Sequence, residues 1–188
     1  MMALTQRVQL IDIYPNAHMY ITSTFHDGYV TNEFTVACHG FPTGLAVGSE
    51  LWTPYRVAEY IRSHTTVHPL HKIHILACNS ADYDIASTAS KISSVMRNTE
   101  VKGYVGSVYI NFRHEQVYQY YLDNERSFAS VERVLEQEGN SRVRTNNDIP
   151  NYYCVVFENG IMKKMTYIPD SYCTVSENGV TKSMTILR

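Results

Sequence analysis

Two short apolar runs with a capped helix between them constrain this chain more than any other feature. Glu33-Phe34-Thr35-Val36-Ala37-Cys38 reads as a buried strand ending at His39-Gly40, and Ile73-His74-Ile75-Leu76-Ala77 as a second ending at Cys78. Between them Thr53-Pro54 supplies an N-cap followed by proline at the first helical position, and Val57, Ala58 and Ile61 form one apolar face. Strands joined through crossover helices lie parallel, so the expectation is an α/β fold with a mainly parallel central sheet.

The flanking segments fill in that plan. Val8 to Ile13 and Met19 to Thr22 read as early strands, with a turn at His26-Asp27-Gly28 and a loop at Phe41-Pro42-Thr43-Gly44. Asn79 or Ser80 is placed to cap a helix directly after Cys78, its stripe being Ile85, Ala89, Ile92 and Val95/Met96. Val101 to Ile110 reads as one strand, bent at Gly103 and Gly106. A last helix is expected from about Asn124 to Glu138, with Phe128, Val131, Val134 and Leu135 inward and Gly139 as its stop. Asn140 to Pro150 is polar and reads as an exposed loop. Beyond it, Tyr153 to Thr166 and Tyr172 to Thr185 repeat each other, each with Asn-Gly between alternating residues, the signal of a tight hairpin. The expected organisation is a main domain over 1–150 and a tandem antiparallel β-hairpin extension over 151–188.

Charge and cysteine usage exclude several classes. The 188 residues carry 16 basic and 18 acidic side chains, a net charge of −2, which argues against a general electrostatic hold on nucleic acid. No apolar run approaches the roughly 18 to 20 residues that span a bilayer. Met1 to Arg7 lacks the apolar region of a signal peptide, so the expected location is cytoplasmic, or exported without a cleavable signal. Cys38, Cys78, Cys154 and Cys173 are far apart with no CxxC, so reduced thiols are the default; whether the repeat-equivalent Cys154 and Cys173 pair is open. His64, His68, His71 and His74 are dense enough to suggest a metal. Thr65-Thr66 and Pro69 spoil their helical presentation, however, so they read as a histidine-rich connection, with no metal or cofactor expected.

The chemistry concentrates at the two strand ends. Ligands of open α/β sheets bind beyond the carboxyl ends of strands, where His39 and Cys78 can meet. An imidazole converts a thiol into a nucleophile, and a glycine after the histidine lets backbone approach a substrate closely. Cys38 alternates to the opposite face and reads as core. A His-Gly dipeptide after one apolar strand and Ala77-Cys78 after the next resembles the signature of the clan CD cysteine peptidases. These include caspases, legumains, clostripain-like and gingipain-like enzymes, separases and the self-processing domains of large bacterial toxins. The resemblance covers about residues 33 to 110. It implies a caspase-like three-layer sandwich, with Cys78 as nucleophile, His39 as general acid or base, and backbone N–H groups of Gly40 and Cys78 as oxyanion hole. It further implies that Gly103 to Tyr109, including Gly103, Val105 and Ser107, flanks the specificity pocket. Asp82 is a candidate for recognising a basic side chain, and Lys163, Lys164 and Lys182 form no convincing counterpart of the polyphosphate-binding patch of the toxin domains.

The expectation is therefore a cysteine endopeptidase acting on protein or peptide, by a Cys/His dyad and an acyl-enzyme. The alternative is a non-catalytic binding module of the same fold, using Tyr118-Gln119-Tyr120-Tyr121 and the hairpins as contact surfaces. Should the chain cut itself, the loop from Asn140 to Pro150 is the expected place.

Overall fold

The computed structural model describes residues 5–66, 69–110, 113–139, 143–145 and 152–168. Strands β1 (Thr5–Tyr14), β2 (Ala17–His26) and β3 (Tyr29–Phe41) form an antiparallel meander. The turn between β2 and β3 places Asp27 and Gly28 at φ of 48° and 81°, the primed geometry that suits the twist of paired strands. The segment read as a loop after Gly40 is instead a small antiparallel flap. In it β3 continues to Phe41, β4 (Gly44–Val47) pairs back on it, and β5 (Glu50–Trp52) pairs with β4.

Helix α1 (Pro54–His64) follows as expected, with the Thr53 hydroxyl accepting from the Arg56 N–H at 3.2 Å and Pro54, Val57, Ala58 and Ile61 buried. It crosses to β6 (Lys72–Leu76), which lies parallel to β3 with Ala37 opposite Leu76. Helix α2 (Thr88–Val95) crosses to β7 (Glu100–Tyr104), parallel to β6. The expected single strand from Val101 to Ile110 breaks at Val105-Gly106. Its second part, β8 (Val108–Ile110), leaves the main sheet and pairs with β9 (Val143–Thr145). The rest of the Asn140–Pro150 loop lies outside the described residues.

The expected helix from Asn124 to Glu138 is corrected. Helix α3 (His114–Asp123) comes first, a turn with Glu125 and Arg126 at positive φ ends it, and α4 (Phe128–Val134) restarts on a Ser127 cap. Phe128 is 40% exposed rather than inward, while Val131 and Leu135 are buried. Tyr120 and Tyr121, candidates for a contact surface, pack against the core cluster beneath α3 and α4. After them β10 (Tyr152–Glu158) and β11 (Ile161–Ile168) form the first hairpin, with Asn159 and Gly160 at φ of 53° and 80°. The second hairpin, with Cys173 and Lys182, lies outside the described residues.

The mainly parallel sheet is the larger correction. The order is β1-β2-β3-β6-β7-β10-β11, and only the β3-β6 and β6-β7 pairs are parallel. The crossover rule applies where helices intervene; hairpin turns at both ends of the chain add antiparallel strands outside that centre. The first hairpin continues this sheet, since β10 pairs with β7. Side chains of one strand alternate between two cores. Met19 and Ile21 pack with residues of α1 and α2, whereas Tyr20 packs with Val117 of α3 and Val131 of α4. The result is an α/β arrangement with a mixed sheet and helices on both faces.

Polar contacts guard the places where packing alone fails. Edge strand β1 donates its Val8 and Leu10 N–H groups to the carboxylates of Glu136 and Glu132 at 2.9 and 2.8 Å, which blunts an open edge. Buried Ser90 and Ser93 of α2 bond the carbonyl and N–H of Gly160, holding the hairpin turn. No helix among the described residues is long and apolar enough to cross a membrane.

Helix α2 and β7 meet closely at Gly103, where a Cβ would lie 2.8 Å from the Ala89 Cβ and 3.1 Å from the Ser80 Oγ. Gly103→Ala is expected to cost about 1 to 3 kcal/mol through overpacking, measured as a lower urea midpoint with an unchanged slope.

Candidate active site

The in-register pairing of β3 with β6 ends at Ala37 and Leu76, and His39 and Cys78 each follow two residues beyond that last pair. The approach is close. A Cβ on Gly40 would fall 2.1 Å from the Cys78 carbonyl oxygen and 2.9 Å from the Ala77 Cβ, so only glycine lets the two chains touch there. Cys78 and His39 line one cleft of about 160 Å³, together with Ser107, Val108, Arg113 and His114. Cys38 is buried in the main core, as its alternation predicts, and also forms part of the cleft wall. Burial pushes its thiol pKa up, with nearby Cys78 adding to the effect.

The turn after Cys78 is built differently from the helix cap expected there. Asn79 takes φ of 59°, and its N–H donates to the Gly106 carbonyl at 2.8 Å. Ser80 is fully buried; its hydroxyl donates to the Ala77 carbonyl at 2.8 Å and accepts the Tyr104 N–H at 2.9 Å. Both residues are spent on pinning the turn to the end of β7. A short 3₁₀ turn, Asp84–Ala86, follows with Ile85 exposed, and α2 starts only after a Ser87 cap. The N-terminus of a helix therefore does not abut Cys78. Its sulfur instead accepts the Val108 N–H at 3.3 Å, while the thiol donates to the Val108 carbonyl at 3.6 Å.

Of the four positions expected to meet a substrate, Ser107 lines the cleft. Asp82 accepts from the Gly106 N–H at 2.9 Å and from the Asn79 side-chain amide at 2.7 Å, so both its oxygens hold the loop. Gly103 is packed beneath α2, and Val105 packs against the main core. Among the described residues the histidine-rich stretch does not gather. His64 stacks on Tyr60, His71 accepts the Asn32 N–H through Nδ1, and His74 is buried against the Tyr104 hydroxyl at 2.8 Å. His68 lies outside the described residues.

Sequence reasoning missed the first residues of α3. His39 Nε2 lies 2.5 Å from Glu115 Oε1, and the His114 ring meets the His39 ring edge-on with centroids 5.0 Å apart. Burial works against the Glu115 carboxylate, but the His39 hydrogen bond, its own backbone N–H and the two histidines hold its pKa below the usual value. Behind His114, His18 continues the row of rings at 5.9 Å and stacks on Tyr20. A separation of 76 residues leaves no local pattern that could pair Glu115 with His39.

Burial lowers the pKa of His18 to about 3, helped by His114; burial lowers that of His114 to about 4, helped by His39 and Arg113 against the opposing Glu115. The Nδ1 atoms of both have no hydrogen-bond partner among the described residues. Comparison with family models, curated proteins and solved structures finds no match to this chain.

The two buried rings predict a pH dependence of stability. Their folded pKa values lie below the ordinary 6.5, so the unfolded chain binds more protons as the medium acidifies. Their contribution is complete above about pH 6.5 and falls from there to about pH 4 for His114 and about pH 3 for His18, by at most roughly 2.7 kcal/mol per pH unit while both titrate. Urea midpoints measured from pH 7.5 to 4.5 check this, and His18→Phe is expected to flatten the decline.

Proposed function

We propose that the protein is a cysteine endopeptidase of caspase-like type, hydrolysing peptide bonds through Cys78 and His39. The observation that carries the reading is that both side chains line one cleft, at the carboxyl ends of neighbouring parallel strands. In the first step the Cys78 proton passes to His39 and the sulfur bonds to the substrate carbonyl carbon. The resulting oxyanion is stabilised by backbone N–H groups of Gly40 and Cys78. Collapse breaks the C–N bond, and the proton held by His39 leaves with the amine. Water then gives its proton to His39 and displaces the thiolate from the acyl-enzyme, which regenerates the thiol.

The Val108 contacts fit a resting state of this site. Both contacts are long and soft enough for a substrate to replace. A second reading, a non-catalytic protein-binding module, draws on Tyr83 and Ile85, which are 75% and 70% exposed on the segment after Cys78.

A mixed peptide library digested with purified protein and read by mass spectrometry tests the proposal. Cleavage is expected with wild type, and both Cys78→Ala and His39→Ala are expected to reduce it by at least about 10³-fold. The double variant is expected to be little worse than either, since the two groups act as one unit. Full activity in Cys78→Ala sinks the nucleophile assignment; no cleavage by wild type moves the binding module ahead.

A further inference from the structure

We infer that Glu115 is a positioning residue that fixes which nitrogen of His39 faces the cleft, making the site a Cys78–His39–Glu115 arrangement rather than a bare dyad. The inference rests on the peptidase reading for its catalytic meaning, but its structural content stands apart from it. An imidazole presents two nitrogens, and a neutral ring carries a proton on only one of them. The Glu115 oxygen lies 2.5 Å from His39 Nε2. A carboxylate only accepts, so Nε2 carries the proton and Nδ1 is left with the lone pair that takes the thiol proton.

Three features make this contact more than a surface ion pair. Both side chains are about half exposed, at 47% and 49%, a setting in which such a pair adds little to stability. Its anchor, however, is rigid. Glu115 occupies the first turn of α3, where the helix N-terminus favours a negative charge. The same turn is closed by the Gln116 side chain accepting the Arg113 N–H at 2.9 Å, and Val117, fully buried, fastens it to the core. The neighbouring His114 ring stands at 84° to the His39 ring, which limits how far His39 can rotate. Two consecutive residues of one helix thus set both the tilt of the imidazole and its protonated nitrogen.

The effect belongs to the turnover step. With His39 misoriented or in the other tautomer, a substrate still enters the cleft, but proton transfer loses its alignment. Glu115→Gln and Glu115→Ala are expected to lower kcat by about 10- to 100-fold with KM within about threefold. Glu115→Asp, which keeps the charge on a shorter stem, is expected to recover part of the loss. Long-range proton–nitrogen NMR of the ring provides the readout that needs no turnover. In wild type at pH 8 His39 is expected as the Nε2–H tautomer, and Glu115→Ala is expected to give a mixture of both. An Nδ1–H tautomer in wild type, or an unchanged tautomer and kcat in Glu115→Ala, overturns the inference. Should wild type cleave no peptide at all, the peptidase reading falls, and the tautomer measurement still decides whether Glu115 sets the ring.

Discussion

The contact between Gly40 and the Cys78 carbonyl is the constraint around which the site is arranged. A side chain at position 40 would lie 2.1 Å from that oxygen, so glycine alone permits β3 and the end of β6 to run side by side past the sheet. Parallel pairing in register from Glu33 with Lys72 to Ala37 with Leu76 then carries His39 and Cys78 to the same level. His39 lies within β3, and Cys78 lies in the turn just past β6 that Asn79 and Ser80 pin to the end of β7.

The rest of the molecule holds these two strands in place. Helices α1 and α2 complete the two crossovers and cover one face, while α3 and α4 cover the other. The hairpin of β10 and β11 seals the β7 side, and carboxylates from the last helical segment occupy the donors of β1 on the opposite edge. The row of rings from half-exposed His39 through buried His114 and His18 links the cleft to the meander. Because α3 supplies both His114 and Glu115, the packing of that helix and the orientation of the candidate base are one structural fact.

Local chemistry explains what was legible in the sequence. The β3-α1-β6 unit could be read because Thr53-Pro54 caps and starts a helix without outside help, and because apolar runs between such signals have few other fates. The Asp-Gly and Asn-Gly turns were equally self-contained. Asn79 and Ser80 misled for the opposite reason. Residues able to cap a helix can also pin a loop, and here the ends of β7 compete successfully for them. The mainly parallel sheet failed because the crossover rule was extended to strands that hairpins connect. In the site, the strand ends were foreseeable, whereas Glu115, the Val108 contacts and the loop-holding role of Asp82 arise only when distant segments pack.

Thiol alkylation tests the central claim, that His39 activates Cys78, most directly. The protein is exposed to limiting iodoacetamide at pH 7 and the rate at each cysteine is followed by peptide mass spectrometry. Cys38 and Cys154 are 1% and 3% exposed, so accessibility alone makes Cys78 faster than either, and the decisive comparison is between wild type and His39→Ala. An activated thiolate predicts that Cys78 alkylation slows by about 10-fold or more in His39→Ala, with circular dichroism and the urea midpoint unchanged. An unchanged Cys78 rate in a folded His39→Ala protein would contradict the account, leaving Cys78 an ordinary thiol beside an idle imidazole.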